Sequence, residues 1–305
     1  MKEKICYFNG KFVKESEFVI NLAGWDGILW EGGAYDVART YDRVPFHLKE
    51  HINRLFYTIK ALPIIQFNLT PEEVTKITLE VLSRNEEYFD EEEDVRIIWR
   101  VSRGVILGPP TPPSFYVYLG PLVAGYAKIA EWYLKGAHLV VANTRQIPWQ
   151  CLDPKIKHTN RLCNHLAEFE AKQVDPEAFA LMLDINGFAA ECQRDNFFMV
   201  KDGKLLTSRL IDCLPGISRA TVIKLAKELG IECVETDLCV YDLYNADELM
   251  IAATSFFVIP VSKFNGRTLP GTIPGPITKQ LQSAFSKKVN YDIVQRVLDK
   301  VQPKG

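Results

Sequence analysis

Two-residue turns between short apolar runs constrain the fold of this chain more than any other feature of its sequence. Asn9-Gly10, Asn186-Gly187 and Asp202-Gly203 each separate two such runs. Asn-Gly and Asp-Gly pairs reach the positive φ angles that two-residue hairpin turns require. The sequence therefore predicts antiparallel hairpins in both halves of the chain, which argues against a wholly parallel sheet.

Segments with helical spacing of apolar residues alternate with these hairpins. They predict helices over 48–62, 71–84, 160–173, 218–229 and 276–287. Further strands are predicted over 95–101, 114–119, 138–142, 231–235 and 248–253. In the third helix, Leu162, Leu166 and Phe169 share one apolar face. Strands mixed with helices in both halves predict an α+β or α/β architecture.

The length of 305 residues favours two domains, since one domain commonly spans about 150 residues. The composition shifts around Gly120-Pro121 and Gly125. We therefore expect an N-terminal α/β domain over 1–121, an interdomain linker over 122–135 and a C-terminal α/β domain over 136–305.

Charge and cysteine content exclude several classes of protein. The chain has 36 basic and 38 acidic side chains, a net charge of −2, which a general nucleic-acid binder would not show. It has no apolar run near the ~20 residues of a membrane span and no apolar N-terminal signal region. Its seven cysteines are odd in number and form no C-x-x-C pair. We expect a cytoplasmic protein without nucleic-acid or membrane partners.

Two shorter patterns point weakly to other chemistries. Residues 47–51 read His-Leu-Lys-Glu-His and match the H-x-x-E-H pattern of some zinc proteases. Pro45 and Phe46 place the first histidine at or before the helix start, however, so we expect a helix cap and no metal site. The glycines at 24, 27, 32 and 33 match neither of the glycine-rich nucleotide motifs.

An ordered series of blocks along the chain is far more specific. The blocks are Glu50-His51-Ile-Asn-Arg54-Leu55, Lys157-His-Thr-Asn160-Arg161-Leu162, Phe188-Ala-Ala-Glu191, Pro215-Gly216-Ile217-Ser218 and Ala253-Thr254-Ser255. This series resembles the class IV aminotransferases, the fold-type IV family that uses pyridoxal 5'-phosphate (PLP). The resemblance implies a two-domain fold and a homodimer in which the partner subunit contributes a loop to the site. The Pro-rich loop 108–113 is a candidate for shaping the pocket.

The chemistry of PLP requires a lysine that holds its aldehyde and moves a proton. The K-x-x-N pattern of the family assigns this role to Lys157, while Lys155 remains a competitor two residues earlier. The ring nitrogen of PLP must also stay protonated, which a buried carboxylate favours. Glu191, between small and apolar neighbours, fits this need, although a hairpin position facing water is the alternative.

The phosphate of PLP needs backbone N–H groups and a cation. Ile217 and Ser218 open a predicted helix and offer amides at the positive end of its dipole. Thr254 and Ser255 resemble the second phosphate contact of the family, and Arg54 resembles its phosphate arginine. Without the other blocks, Arg54 would be interpreted as a surface arginine.

Substrate contacts follow from the resemblance alone. Tyr35 matches an aromatic residue of the family's pocket, Arg39 its basic residue, and Arg103 an arginine that binds the substrate carboxylate in some members. Strand packing and a solvated charge remain alternatives for Tyr35 and Arg39. The Tyr-x-Arg pattern of branched-chain enzymes is replaced here by Arg96-Ile97-Ile98, and Val37 stands where the lyase has threonine.

We therefore expect PLP-dependent transamination between an amino acid and a 2-oxo acid, with a branched-chain or related hydrophobic amino acid as substrate. A D-amino-acid aminotransferase and an enzyme like aminodeoxychorismate lyase are the alternatives within the family. An inactive PLP-binding protein is the alternative outside it.

Overall fold

The computed structural model describes residues 3–19, 32–87, 94–104, 111–122 and 125–301. The chain divides into two compact units. The first is Met1–Leu122 with Ile156–Asn160, and the second is Val123–Lys155 with Arg161–Gly305. Each unit carries a β-sheet and helices, so the predicted mixed architecture is confirmed. Gly24, Gly27 and residues 108–110 of the Pro-rich loop lie outside the described residues.

The first unit is built on an antiparallel sheet. Its strands are β1 (Ile5–Phe8), β2 (Lys11–Lys14), β3 (Ala34–Tyr41), β4 (Val44–Pro45), β5 (Arg96–Val101) and β6 (Phe115–Gly120). The order across the sheet is β2-β1-β6-β5-β3-β4. Asn9 and Gly10 have φ angles of 45° and 91°, so the predicted turn between β1 and β2 is confirmed.

Two helices of the first unit were predicted within one residue of their observed bounds, α1 (Leu48–Ala61) and α2 (Pro71–Arg84). Helix α2 begins as its sequence indicates, because Thr70 Oγ1 accepts a hydrogen bond from Glu73 N and Glu73 Oε2 accepts one from Thr70 N. The helices and one sheet face share a core that includes Ile52, Leu55, Val74, Val81, Ile97, Trp99, Val101 and Val117.

The alternation of strand residues places another set of side chains on the opposite face of this sheet. We call it the Tyr35 face. It comprises Tyr35, Val37 and Arg39 of β3, Arg96, Ile98 and Arg100 of β5, and Tyr116 and Tyr118 of β6. Across β3 and β5, Tyr35 pairs with Arg100 and Val37 pairs with Ile98. This face therefore combines aromatic, apolar and cationic positions.

The second unit carries a mixed sheet. Its strands are β7 (Ala137–Val141), β8 (Phe179–Leu183), β9 (Ala189–Cys192), β10 (Asn196–Lys201), β11 (Lys204–Thr207), β12 (Cys233–Glu235), β13 (Glu248–Ala253), β14 (Phe257–Phe264) and β15 (Arg267–Thr268). Their order is β12-β11-β10-β13-β14-β7-β8-β9, with β15 paired to β14. Its helices are α3 (Gly125–Lys135), α4 (Leu162–Val174), α5 (Ile217–Glu228), α6 (Val240–Tyr244), α7 (Pro276–Val289) and α8 (Gln295–Val301).

The observed division differs from the expected domain bounds at two places. The segment expected as a linker, 122–135, contains helix α3 of the second unit, because Ile129, Ala130 and Tyr133 recur at helical spacing and are buried. The segment Ile156–Asn160, expected in the C-terminal domain, belongs to the first unit together with its lysine. Backbone hydrogen bonds between this segment and the start of β3 hold it in the first unit.

The expected apolar face of α4 is not its buried face. Leu162, Leu166 and Phe169 are 65%, 49% and 63% exposed, whereas Ala167 and Ala171 are fully buried. The small side chains allow the helix to approach β7 and β8 closely, and the larger apolar ones are left on the outside. Spacing alone could not decide which face of α4 is buried, since the large apolar residues and the alanines both recur at helical intervals.

Candidate active site

Lys157 is held in the first unit by a short segment that pairs with the start of β3. Tyr35 N donates to Lys157 O at 3.0 Å, and Thr159 N donates to Gly33 O at 2.8 Å. Thr58 Oγ1 on α1 accepts from Lys157 N at 3.1 Å. The amine Nζ of Lys157 lies 4.7 Å from the centre of the Tyr35 ring. The structure thus brings together the predicted lysine and the predicted pocket aromatic.

The competitor, Lys155, lies in a different environment. It belongs to the second unit, is exposed, and pairs with Asp153 at 3.1 Å. The segment that carries both lysines consists of turns, and not of the strand that would have placed them on one face. The environment of Lys157 is the one that suits a reacting amine.

Arg54 on α1 makes a two-pronged ion pair with Asp36 of β3. Its Nε and Nη2 donate to the two carboxylate oxygens, each at 2.8 Å, and His51 Nδ1 lies 2.7 Å from Oδ1. Asp36 is fully buried. Arg54 lies one helical turn from Thr58, the residue that anchors the backbone of Lys157. Arg54 and Lys157 are therefore neighbours within the first unit.

Electrostatics keep Asp36 ionised despite its burial. Burial by itself would raise the pKa of this carboxyl, but Arg54 and His51 outweigh it and hold the pKa well below its usual range. Burial lowers the pKa of His51 below its ordinary value, although Asp36 opposes this shift. Sequence reasoning missed Asp36; the signal was an acidic residue between Ala34 and Ala38, on the core side of a strand.

Arg39 and Arg103, the other two residues predicted to bind substrate, lie in surroundings that differ from those of Tyr35. Arg39 is buried, with Nη2 3.1 Å from Asp94 Oδ2 and Nε donating to Thr40 O at 2.9 Å. Its charge is thus already balanced by a carboxylate that sequence reasoning did not identify. Arg103 is the second residue after the end of β5 and is half-buried. The roles of Arg39 and Arg103 toward substrate stay predictions.

Glu191 lies on β9 in the second unit and is buried, 4% exposed. Gln146 Nε2 donates to its Oε1 at 2.8 Å, and Leu214 N donates to its Oε2 at 3.1 Å. The water-facing alternative for this glutamate is therefore wrong. Both of these donors are neutral, so they orient the carboxylate without cancelling its charge.

Helix α5 begins at Ile217, next to the segment that binds Glu191. Within the part of the chain that the structure describes, no side chain caps this helix, and its first turn holds no acidic residue. The N–H groups of Ile217 and Ser218 are among those that a helix leaves without an internal partner. A Cβ at Gly216 would collide with Asn196 Oδ1, so only glycine fits the entry to the helix. Free backbone N–H groups at a helix start favour an anion, so the phosphate role of Ile217 and Ser218 stays a prediction.

Thr254 and Ser255 form the turn between β13 and β14, at the same end of the sheet as the start of α5. Asn196 of β10 pairs with Ala252 of β13, and its Nδ2 donates to Leu214 O at 3.0 Å. Strand register thus connects the turn, Asn196 and the approach to α5. The second unit assembles the predicted carboxylate and both predicted phosphate contacts.

Other chemistries find no support among the described residues. His47 lies before α1 with φ of 51° and pairs with Glu50 at 3.0 Å, while His51 is bound to Asp36. No group of three or more His, Cys, Asp or Glu in the described ranges could hold a metal ion. None of the described helices has the length and apolar character needed to cross a membrane.

The residues fit a cofactor that has an aldehyde, a basic ring nitrogen and a phosphate. The first unit offers an amine and an arginine, and the second offers a buried carboxylate and the first-turn amides of α5. A Cβ at Gly216 would meet Asn196 Oδ1, so the backbone that leads into α5 packs closely on the Asn196 side chain. These are the groups that PLP requires.

Comparison with known proteins agrees with this chemistry. The pattern of the class IV amino-transferases matches residues 33–264. A protein of Methanocaldococcus jannaschii, provisionally named a branched-chain-amino-acid aminotransferase, is 36% identical over 288 residues, covering 92% of this chain and 94% of the relative. D-alanine aminotransferase of Bacillus licheniformis is 29% identical over 295 residues, covering 95% and 99%.

A solved structure extends the agreement to the fold. The T.th. branched-chain amino acid aminotransferase with pyridoxamine 5'-phosphate superposes with a TM-score of 0.84 at 27% identity, covering 97% of this chain and 96% of that one. The chain therefore belongs to the class IV aminotransferase family, and it is a PLP-dependent aminotransferase.

Proposed function

We propose that this enzyme transfers the amino group between a branched-chain or related hydrophobic amino acid and a 2-oxo acid. The observation that carries the proposal is the apolar pair Val37 and Ile98 on the Tyr35 face. Val37 is the second residue after Tyr35 on β3, and Ile98 is directly opposite it on β5. Since Lys157 Nζ contacts the Tyr35 ring, this pair lies where a substrate side chain near the amine would pack.

We further propose a role for each residue of the site. When bound, PLP supplies an electron sink for negative charge at the substrate Cα. Lys157 Nζ would hold the aldehyde, and after the amino group of the substrate has displaced it there, the freed amine would move the proton at Cα. Arg54 and the first-turn amides at Ile217 and Ser218 bind the phosphate, together with Thr254 and Ser255. Glu191 holds the proton on the ring nitrogen, because a buried anion favours a cation beside it. Tyr35 orients the amine, and Arg39 and Arg103 contact substrate.

A substrate panel tests the reaction. We expect the PLP-loaded protein to react with L-leucine, L-isoleucine and L-valine when 2-oxoglutarate is the acceptor. The rates should exceed those with alanine, because the apolar pair gains contact area with larger side chains. Preference for D-alanine, with 2-oxoglutarate as the acceptor, would instead favour the D-amino-acid alternative. Loss of the activity in Lys157→Ala controls for contaminating enzymes.

The D-amino-acid alternative has its own support, namely the D-alanine aminotransferase relative and the arginine of Ser102-Arg103-Gly104. Replacement of Arg103 by methionine separates the two possibilities. If Arg103 binds the α-carboxylate of a D-substrate, the variant loses D-amino-acid turnover selectively. The same panel run with the D-enantiomers measures this effect.

As part of the same proposal, the enzyme is a homodimer in the cytoplasm. The exposed apolar face of α4, formed by Leu162, Leu166 and Phe169, supports burial against a second copy. Seven free cysteines are typical of a reducing compartment. Light scattering should give about twice the mass of one chain, and a Leu166→Glu change should weaken the dimer while Val44→Glu, at another exposed site, should not. A monomeric wild type contradicts the dimer.

A further inference from the structure

The turn between β13 and β14 leads into a residue with an unusual backbone angle. Phe257, the first residue of β14, has a φ of 61°, in the left-handed region that bulky L side chains rarely adopt. Such an angle persists only where the surrounding structure holds it, and angles of this kind cluster at ligand-binding sites. Thr254 and Ser255, the proposed phosphate contacts, stand in the turn just before it. The strained position therefore adjoins a proposed ligand contact.

The ring of Phe257 is anchored in the core of the second unit. It stacks on Phe285 of α7, with the ring centres 3.6 Å apart and an angle of 8° between the ring planes. Phe257 is 1% exposed and Phe285 is fully buried. Burial of aromatic rings is strongly favourable and offsets the unfavourable backbone angle. Helix α7 thus fixes the backbone where the chain leaves the turn.

The last residue of the turn, Phe256, is held by a different helix. The hydroxyl of Tyr133 on α3 donates a hydrogen bond to Phe256 O, and both residues are buried. The Phe256 ring makes edge contacts with Trp132 of α3 and Phe179 of β8, at centroid distances of 5.7 and 6.4 Å. A buried hydroxyl therefore fixes the carbonyl that directly follows Ser255 in the chain. All of these residues belong to the second unit.

The two hydroxyl residues of the turn differ from the aromatic residues after them in exposure. Thr254 and Ser255 are partly exposed, whereas Phe256 and Phe257 are buried. The turn thus presents two hydroxyl groups from a base that is held at two points. Donors that are already in place bind a ligand more tightly, because less conformational entropy is lost on binding. An anion such as a phosphate benefits from such fixed donors.

We propose that Tyr133 and Phe257 are positioning residues of the cofactor site, which hold the Thr254–Ser255 turn in the conformation that binds the phosphate. This inference rests on the proposed phosphate role of that turn. Tyr133 acts through the carbonyl of Phe256, and Phe257 acts through its backbone angle and its stacking on α7. Helix α3, which the sequence had led us to expect as a linker, thereby supports cofactor binding.

The test isolates the phosphate by comparing PLP with pyridoxal, which has the same aldehyde and ring but no phosphate. Absorbance titration of the full-length protein gives both dissociation constants, and the ratio of the pyridoxal constant to the PLP constant measures what the phosphate contributes. Tyr133→Phe keeps the ring and removes only the hydroxyl. It should lower this ratio about 5–10-fold, the effect of one hydrogen bond, and change the pyridoxal constant less than about 2-fold.

Two further variants bracket that result. Phe257→Leu keeps an apolar side chain but loses the flat stacking on Phe285, so it should lower the ratio as well. Tyr126→Phe removes a hydroxyl from the same helix, at a ring that lies over Lys300 of α8 and not beside the turn. It is the matched control and should leave both dissociation constants unchanged.

Equal weakening of PLP and pyridoxal in Tyr133→Phe would show a general structural defect and overturn the proposal, as would an unchanged ratio. Thr254→Val separates this failure from failure of the phosphate role. If Thr254→Val lowers the ratio and Tyr133→Phe does not, the turn binds the phosphate but Tyr133 does not position it. If neither variant lowers the ratio, the phosphate role of the turn is refuted together with this inference. No amino acid takes part, so the result is independent of the proposed substrate.

Discussion

Asp36 in the first unit and Glu191 in the second are both buried carboxylates, but their partners differ in kind. Asp36 receives the two-pronged Arg54 contact and the His51 contact, so its charge is matched by a cation inside the protein. Glu191 is oriented by an amide side chain and a backbone N–H, which are neutral. One carboxylate is paired with a cation of the first unit, and the other accepts hydrogen bonds from an amide side chain and a backbone N–H.

The difference shows how a buried charge can be either structural or functional. Breaking a buried ion pair leaves the partner's charge uncompensated, so an arrangement like that of Asp36 is coupled strongly to folding. A carboxylate held by neutral donors has a smaller share in stability and can stabilise a cation that arrives with a ligand. The predictions below test this contrast, from the largest expected effect to the smallest.

The largest effect is expected from removal of the Lys157 amine, which belongs to the same unit as the ion-paired Asp36 and Arg54. Lys157→Ala should lower kcat by about 10⁴-fold and remove the absorbance of lysine-bound cofactor, because the amine that moves the proton is lost. Steady-state kinetics and absorbance spectra measure both. Lys155→Ala, with an exposed side chain, is the control and should keep both. If Lys155→Ala loses them instead, the assignment of the lysine is wrong.

Removal of the first carboxylate should mainly affect folding. Asp36→Asn leaves Arg54 without its counter-ion and should lower the free energy of unfolding by about 3–5 kcal/mol. Glu191→Gln keeps an oxygen acceptor beside neutral donors and should lower it by about 1–2 kcal/mol. Urea denaturation of the two variants and the wild type gives the comparison. Equal losses would remove the distinction between the two sites.

Removal of the second carboxylate's charge should mainly affect catalysis. Glu191→Gln should reduce kcat about 100-fold, because the charge that stabilises a protonated ring nitrogen is lost. Glu228→Gln, at the exposed end of α5, removes the same charge from the surface and serves as the control. Unchanged kcat in Glu191→Gln would show that Glu191 is only a packing residue.

The smallest effect is a pH dependence of stability carried by His51. Burial lowers the pKa of His51 from 6.5 in the folded state, so the unfolded chain takes up its proton first as pH falls. The free energy of unfolding is therefore highest above about pH 6.5 and declines below it, by at most ~1.4 kcal/mol per pH unit for this group. His51→Gln should flatten the decline between about pH 6.5 and 5, measured by urea titrations.

His47→Gln is the matched control for that measurement, since His47 is only part-buried and lies just before α1. Asp36 acts in a separate and lower window. Its pKa is depressed in the folded state, so its contribution is present above about pH 4 and is lost as pH falls further. A flattened slope in the His47 variant would contradict the assignment to His51.

Much of the fold follows from local signals because the hydrogen bonds concerned span few residues. The Asp202-Gly203 turn adopts φ angles of 50° and 76°, and the capping pair Thr70 and Glu73 closes both of its hydrogen bonds. Strand β14 escaped prediction because Pro260 interrupts its pattern. The proline is tolerated because pairing with β7 begins only at the next residue, Val261.

Parts of the site could not be predicted from the sequence, because the residues that contact one another there are far apart in the chain. The pattern of blocks indicated Lys157, Glu191 and Arg54, but it did not show what each one contacts. Asp36 and Asp94 join their arginines across 18 and 55 residues of sequence, respectively. Such partners become visible only when strands and helices have been placed beside one another.

By itself, the sequence determined the hairpins, most helices, the family and the chemical types that hold the cofactor, because turn geometry, periodicity and motif order are local properties. Only the tertiary structure decided which side of α4 is buried and which arginines are neutralised. These outcomes depend on burial and on carboxylates far away in the chain. Close packing and long-range charge pairing are set by the whole fold.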